Sequence, residues 1–310
     1  MQGNKIKTNT NSKNVNLMSV SVVIPTFNEE RVIGDIIKKI KELYPSFEII
    51  VVDDGSSDHT AEVAQKSGAK TIIHPYNIGN GAAVKTGIRN ASGEYIVLMD
   101  GDGQHAPEDI ERLLEQAPYF DLVIGARDAS THASIGRRWA NWCYNKLASY
   151  VGKFPIKDLT SGFRVFKRKT VLKFLYLFPN TFSYPTTSTL AYLRSGLTIK
   201  YVPIKANKRI GKSKINIIKD GARFFLIILR IATFFSPLRV FLPISIFFFI
   251  LGLGYYGYSF YTMHRFTNMS ALLLSVSIMI FLMGLISEQI TQIRYDRVEQ
   301  DNLWLQKFDT

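Results

Sequence analysis

Through the first two thirds of the chain, apolar runs of strand length alternate with segments whose apolar residues recur at helical spacing. Val20–Thr26 (VSVVIPT) predicts a first strand, followed by a helix opening at Asn28-Glu29-Glu30 and running to about Leu43. Acidic residues offset the partial positive charge of a first helical turn, which accounts locally for Glu29 and Glu30. Phe47–Val52 predicts a second strand, Asp58 caps a helix through Gln65, and Thr71–Ile73 is a short third strand. A helix from Gly79 to about Asn90, a strand over Gly93–Met99, a helix over Pro107–Gln116 and a strand over Asp121–Gly125 continue the series. This alternation predicts an α/β fold with an open, mainly parallel sheet covered by helices on both faces. Ligands on such sheets sit at the carboxyl ends of the strands.

From Ser134 the pattern is mixed. Arg137 begins a helix to about Tyr150, Thr160–Arg164 is a polar turn, Arg168–Phe178 is helical and Leu197–Val202 is a strand. Lys214–Phe235 has apolar residues at helical spacing, with Lys219, Arg223 and Arg230 interspersed. That suits a helix lying in a membrane interface, its basic residues near anionic headgroups. Phe241–Phe260 and Met269–Ser287 are nearly free of charge and each about 20 residues long, the length that spans a bilayer. They predict a transmembrane hairpin. Arg223, Arg230 and Arg239 precede it and Arg294 and Arg297 follow it, whereas the middle loop offers only His264 and Arg265. The positive-inside rule then places both ends, and the large domain, in the cytoplasm. Glu288 falls where the second span meets water and reads as an interfacial residue.

These patterns divide the 310 residues into a disordered tail (1–18), an α/β domain (19–210), an amphipathic juxtamembrane segment (211–238), a transmembrane hairpin (239–290) and a cytoplasmic C-terminal tail (291–310). The tail is rich in Asn, Lys, Thr and Ser and has no apolar stretch of signal-peptide length. A net charge of +13 implies an anionic partner. The single cysteine, Cys143, excludes an intrachain disulfide and any zinc site built on several cysteines.

Candidate chemistry centres on Asp100-Gly101-Asp102-Gly103-Gln104, directly after an apolar strand. Residues two apart in an extended chain lie on one side, so both carboxylates can converge on one point. Hard oxygen ligands of this kind suit Mg²⁺ or Mn²⁺, which keep positions open for substrate phosphates. Taken alone, Asp-Gly is also ordinary turn chemistry. A second acidic cluster, Asp53-Asp54, ends the second strand. Gly79-x-Gly81 lacks the full dinucleotide fingerprint, and no Gly-x-x-x-x-Gly-Lys-Ser/Thr phosphate loop occurs.

Four stretches together resemble the family 2 glycosyltransferases of GT-A fold: Val22–Glu29 (VVIPTFNE), Asp53–Asp58 (DDGSSD), Asn77–Gly87 (NIGNGAAVKTG) and Asp100–Gln104. Thr160–Arg164 (TSGFR), Arg209–Lys214 (RIGKSK) and the two terminal spans further resemble the polyprenyl-phosphate glycosyltransferases, including dolichol-phosphate mannose synthase and GtrB-type glucosyltransferases. The resemblance implies a nucleotide sugar donor such as UDP-glucose or GDP-mannose, a polyprenyl (undecaprenyl or dolichyl) phosphate acceptor, Mg²⁺ or Mn²⁺, inversion at the anomeric carbon, and a homo-oligomer such as a tetramer. It implies Pro25, Glu29, Asp53, Lys85 and Asp100 as donor-binding residues, and Asp100, Asp102 and Gln104 as the metal and diphosphate motif. Asp102, Arg127 and Arg164 are the candidates for catalysis. Arg138, Ser161, Arg209, Ser213 and Lys214 are those for the acceptor phosphate or the diphosphate.

Two alternatives are weighed against this. A processive polysaccharide synthase would carry Gln-x-x-Arg-Trp, but Ile135 stands where that Gln belongs before Arg138-Trp139. A non-catalytic membrane adaptor is disfavoured by the complete Asp100, Asp102 and Gln104 set. Nucleic-acid binding is not expected, since the basic residues cluster around the hairpin and no base-stacking module is present. A bacterial inner membrane is the expected location.

Overall fold

A computed structural model describes residues 18–127, 142, 144–146, 148–150, 152–180, 183–205, 233 and 236–306, with side chains through 293. The tail expected before residue 18 and the amphipathic segment expected over 214–235 lie essentially outside these residues. The chain divides into two compact units, Met1–Ile215 and Asn216–Thr310.

In the first unit, β1 (Val20–Thr26), β2 (Glu48–Asp53), β3 (Lys70–Ile73), β4 (Tyr95–Leu98), β5 (Leu122–Arg127), β6 (Arg164–Lys167) and β7 (Ile199–Ile204) form one sheet. Its order is β3-β2-β1-β4-β6-β5-β7. The β1–β2, β1–β4, β2–β3 and β5–β7 pairs are parallel, while β6 runs antiparallel to both β4 and β5. Every residue of β1 is buried, as a strand covered on both faces requires.

Helices α1 (Ile33–Leu43), α2 (Thr60–Lys66), α3 (Asn80–Asn90) and α4 (Asp109–Leu114) connect the parallel strands. In α1, Ile33, Ile36, Ile37 and Ile40 recur at helical spacing and are buried among Val22, Ile24 and Val51. Each such side chain contributes roughly 1.5–3 kcal/mol when fully buried. The helix starts at Ile33, later than Asn28-Glu29-Glu30 predicts. The preceding turn is held by the Glu29 carbonyl, which accepts the Val32 and Ile33 N–H groups, while the Glu30 carboxylate accepts the His59 N–H.

Strand β6 and helix α6 (Tyr184–Arg194) are absent from the expected series, and α5 is Arg168–Phe174 followed by a 3₁₀ turn at Leu175–Leu177. Strand β6 opens on a charged residue, Arg164, whose burial no apolar pattern announces. Along α6, Tyr184–Tyr192 are buried, several of them Ser and Thr, so there is no amphipathic stripe to read.

The second unit is a helical hairpin, α7 (Pro237–Met263) and α8 (Asn268–Gln306). Pro237–Met263 and Asn268–Ile293 are long and apolar enough to cross a bilayer, and only 11% and 17% of their most apolar stretches are buried. A helix in a soluble core would be covered; these apolar faces point outward. Within the hairpin, the Ser245 hydroxyl donates to the Ser277 carbonyl and the Ser277 hydroxyl to the Ser245 carbonyl, both at 2.9 Å. The Glu288 carboxylate accepts the Leu238 N–H at 3.2 Å, in the first turn of α7.

Candidate active site

The parallel strands β1, β2 and β4 deliver Thr26, Asp53 and Asp100 to one end of the sheet. Asp53 closes β2 and is buried; its carboxylate accepts the Ser56 N–H at 3.2 Å and the Ser56 hydroxyl. The same Ser56 hydroxyl accepts the Asn28 N–H, and the Asn28 side chain accepts the Ser57 N–H. The loop after Pro25 is thereby laced to the loop after Asp53. Gly55 (φ +74°) makes this possible, since a Cβ there would stand 2.6 Å from the Tyr76 backbone. Glu29 belongs to the same lacing: its N–H donates to the Thr60 hydroxyl at 2.9 Å.

Asp54 points elsewhere. Its buried carboxylate accepts the Ile78 N–H (3.0 Å), the Gly79 N–H (2.8 Å) and the His74 Nδ1 (2.8 Å). It ties β2 to the segment that opens α3. Lys85, on α3, donates to the Asn180 side chain, and the Asn180 backbone carbonyl accepts the Ala82 N–H. Burial and the nearby Arg89 charge lower the Lys85 pKa.

Asp100 and Asp102 follow β4 on a turn beside the end of β1: a Cβ at Gly101 would stand 2.7 Å from Thr26 and 3.2 Å from the Pro25 carbonyl. The Asp102 carboxylate accepts the Gln104 N–H at 3.1 Å, a local turn that needs Gly103 at φ +75°. His105, buried and stacked on Phe163, accepts the Asp100 N–H at 3.3 Å. Burial pushes its pKa down to about 4, against the opposing pull of Asp102, so the ring is neutral at neutral pH. Among the described residues no group of three or more Asp, Glu, His or Cys side chains converges. A pair of partly exposed carboxylates is nonetheless the donor set that suits Mg²⁺ or Mn²⁺, whose remaining positions go to water and substrate phosphates.

Arg127 ends β5 and reaches the same end of the sheet, where both Asp100 and Asp102 act on its charge. Its Nε and Nη2 donate to the two oxygens of Asp158 at 2.8 and 3.0 Å, and Nη2 also donates to the Thr160 hydroxyl at 2.6 Å. Burial opposes the guanidinium charge, but Asp158 outweighs it and holds the Arg127 pKa above its ordinary value.

Ser161 and Arg164 are brought close to this pair and turned inward. The Ser161 hydroxyl is buried and donates to the Gly125 carbonyl at 2.6 Å. The Arg164 guanidinium is 0% exposed. It donates to the Ser161 carbonyl (2.7 Å), the Leu159 carbonyl (3.2 Å) and the hydroxyls of Ser188 (3.1 Å) and Thr189 (2.8 Å). Burial lowers its pKa. Ser161, a candidate for the acceptor phosphate or diphosphate, and Arg164, a candidate for catalysis, thus both face protein oxygens and brace the 158–164 turn. Arg138, Arg209, Ser213 and Lys214 lie outside the described residues. Asp158, by contrast, is a central residue that the sequence did not single out; a lone Asp in Ile156-Lys157-Asp158 carries no motif.

An open mostly parallel sheet, one inserted antiparallel strand and paired carboxylates after β4 define the class as a GT-A glycosyltransferase fold. Solved structures agree. Glucosyl-3-phosphoglycerate synthase from Mycobacterium tuberculosis, with Mn²⁺, UDP-glucose and phosphoglyceric acid, superposes with a TM-score of 0.60 at 19% identity, covering 74% of this chain and 86% of that one. The same enzyme with Mg²⁺ and UDP gives 0.59 at 20% identity, with 74% and 85% covered.

Glycosyl transferase family 2 matches residues 21–174, and the GtrB C-terminal hairpin matches 236–293. An uncharacterized protein of Methanocaldococcus jannaschii is 33% identical over 210 residues, 64% of this chain and 86% of that protein. Glycosyltransferase AglJ of Haloferax volcanii is 26% identical over 299 residues, 91% and 97% of the two chains. Undecaprenyl-phosphate 4-deoxy-4-formamido-L-arabinose transferase of Pseudomonas aeruginosa is 32% identical over 162 residues, 49% of this chain; the match spans 48% of that relative. The chain belongs to glycosyl transferase family 2 and is a glycosyltransferase. Its hairpin points to membrane association.

Proposed function

We propose that this protein moves a hexose from a nucleotide sugar, of the UDP-glucose or GDP-mannose type, to a polyprenyl phosphate, with inversion at the anomeric carbon. The observation that carries the reading is the conjunction in one chain of the Asp100–Asp102 pair with Arg127 beside it and a GtrB hairpin. The Pseudomonas relative is named for an undecaprenyl-phosphate acceptor. The acceptor is undecaprenyl or dolichyl phosphate, and a chain that carries its own bilayer anchor meets such a lipid without extracting its tail from the membrane.

A phosphate monoester has a second pKa of about 6, so the acceptor is largely a dianion at neutral pH and needs no general base. One of its oxygens attacks the anomeric carbon as the bond from that carbon to the nucleoside diphosphate breaks. Pro25, Glu29 and Asp53 line the nucleoside pocket, with Lys85 towards the donor. Asp100, Asp102 and Gln104 would hold Mg²⁺ or Mn²⁺, which when bound neutralises charge on the departing diphosphate. Arg127 presents its guanidinium to the phosphates. Ser161 and Arg164 act from behind by fixing the turn. Arg138, Arg209, Ser213 and Lys214 supply further positive charge to the lipid phosphate or the diphosphate.

The α/β domain then extends over 19–210 and works on the cytoplasmic side of a bacterial inner membrane, in a homo-oligomer such as a tetramer. The test uses the full chain in detergent with undecaprenyl phosphate, Mg²⁺ or Mn²⁺ and a panel of radiolabelled nucleotide sugars, including a nucleotide-linked 4-deoxy-4-formamido-L-arabinose. Organic-extractable label from one donor, lost with EDTA and in Asp102→Ala, is the expected result. Intact nucleotide binding with no lipid product from any donor would overturn the acceptor assignment.

A further inference from the structure

Asp158 gathers the site's turn onto two oxygens. Oδ2 accepts the Arg127 N–H (3.2 Å) and Nε–H (2.8 Å). Oδ1 accepts Arg127 Nη2 (3.0 Å), the Thr160 N–H (3.1 Å), the Thr160 hydroxyl (3.2 Å) and the Ser161 N–H (3.1 Å). Backbone donors from the turn and side-chain donors from the end of β5 thus share one buried carboxylate. The guanidinium is gripped by its Nε/Nη2 edge, and its side chain remains 21% exposed. Among the described residues, Nη1 has no protein acceptor.

An arginine side chain has long, mobile torsions, and fixing it costs about 2 kcal/mol of rotamer entropy. Here that ordering precedes any ligand. The placement matters because two other carboxylates, Asp100 and Asp102, also attract this cation. Without Asp158 the guanidinium would be drawn onto them and would compete with a divalent ion for the same oxygens.

We infer that Asp158 is the positioning residue for Arg127: it holds the guanidinium by one edge, off the Asp100–Asp102 pair, and leaves the Nη1 edge for a substrate phosphate. This rests on the reading above that Arg127 meets the phosphates and that the carboxylate pair takes the metal. Asp158 touches neither ligand itself; it acts through Arg127.

The test compares Asp158→Asn, Arg127→Met and the double variant in the full chain, with two readouts: sugar transfer to undecaprenyl phosphate, and binding of Mn²⁺ alone followed by electron paramagnetic resonance. In Asp158→Asn, kcat should fall on the order of 30- to 100-fold, with donor KM within about threefold. Adding Arg127→Met should lower kcat by no more than about threefold further, because both changes disable one device. Mn²⁺ affinity should weaken about 10-fold in Asp158→Asn and recover in the double variant, where no guanidinium is left to compete.

A merely structural role would give multiplying losses and no recovery of Mn²⁺ binding, and either result overturns the inference. Should Asp158→Asn fail to fold, Asp158→Glu serves instead: its longer stem displaces the guanidinium, so a partial loss is expected, and full activity would overturn the proposal. If the wild type transfers no sugar from any donor, the assigned reaction falls while the Mn²⁺ series still decides the role of Asp158. If the wild type binds no Mn²⁺, the metal reading falls and the kinetic cycle decides.

Discussion

The backbone of Gly162 lies directly against the Asp100 carboxylate: a Cβ at position 162 would stand 2.5 Å from Oδ2 and 2.7 Å from Oδ1. The turn that carries Gly162 has little freedom to retreat. Asp158 accepts the Ser161 N–H on one side, and Arg164 donates to the Ser161 carbonyl on the other. A methyl group at 162 must therefore displace the carboxylate. Gly162→Ala should lower transfer on the order of 100-fold, the effect of misplacing a reacting group by about 1 Å. The measurement is kcat beside a thermal denaturation curve. A near-normal rate would show that Asp100 is not held where the reaction needs it.

Adjacent carboxylates at the end of β2 should separate cleanly. The Asp53 carboxylate serves its own turn through Ser56, whereas Asp54 accepts from Ile78, Gly79 and His74 and so bridges two segments. Asp53→Asn keeps one oxygen acceptor, so stability should be nearly retained while nucleotide affinity falls about 10-fold. Asp54→Asn sets an amide N–H against backbone N–H donors and should cost about 3 kcal/mol. Calorimetric titration with UDP and GDP, together with urea unfolding, reads both. Equal stability losses from the two variants would count against the division of roles.

How much of this was legible in the sequence follows from where the signal resides. The parallel strands and their helices were readable because β-branched runs and the spacing Ile33, Ile36, Ile37, Ile40 repeat at the period of the element that buries them. Asp100 and Asp102 were readable because they follow directly on such a strand. The burial of Arg164 is not legible in the sequence. A charged residue signals surface, and only the fold supplies the Leu159 and Ser161 carbonyls and the Ser188 and Thr189 hydroxyls that make its burial tolerable. Asp158 was illegible for a related reason: its partner, Arg127, is 31 positions away, and no local pattern links the two.

In the hairpin, the reciprocal hydroxyl-to-carbonyl bonds of Ser245 and Ser277 sit where the two helices pack closely, and both residues are buried. Interhelical hydrogen bonds in membranes contribute about 0.6 kcal/mol on average and at most about 1.7. Ser245→Ala and Ser277→Ala should each cost about that much. Ser245→Leu should cost more, about 1–3 kcal/mol, by forcing a branched side chain between the helices. Far-UV circular dichroism of the full chain, titrated with dodecyl sulfate, gives the order. A Ser245→Leu protein as resistant as the wild type would mean that the helices are not packed at these serines.

The Arg127–Asp158 pair should also set the acid limit of the first unit. Burial alone raises the Asp158 pKa, but the hydrogen bonds and charge of Arg127 more than reverse this and hold the carboxyl below its ordinary value. The unfolded chain therefore takes up this proton at a higher pH than the folded one. Stability rises with pH wherever the unfolded state binds more protons, so this contribution is present above the ordinary carboxyl pKa and is lost as the pH falls through the folded value. In Arg127→Met the burial cost remains, and only the backbone and Thr160 donors oppose it. The acid limb of a plot of Tm against pH should then move to higher pH, because the nearby opposite charge that favoured the ionised carboxyl is gone. Adding Asp158→Asn removes the titrating group and should abolish that displacement. An acid limb that stays in place when Arg127 is replaced would mean that the guanidinium does not hold this carboxylate ionised in solution.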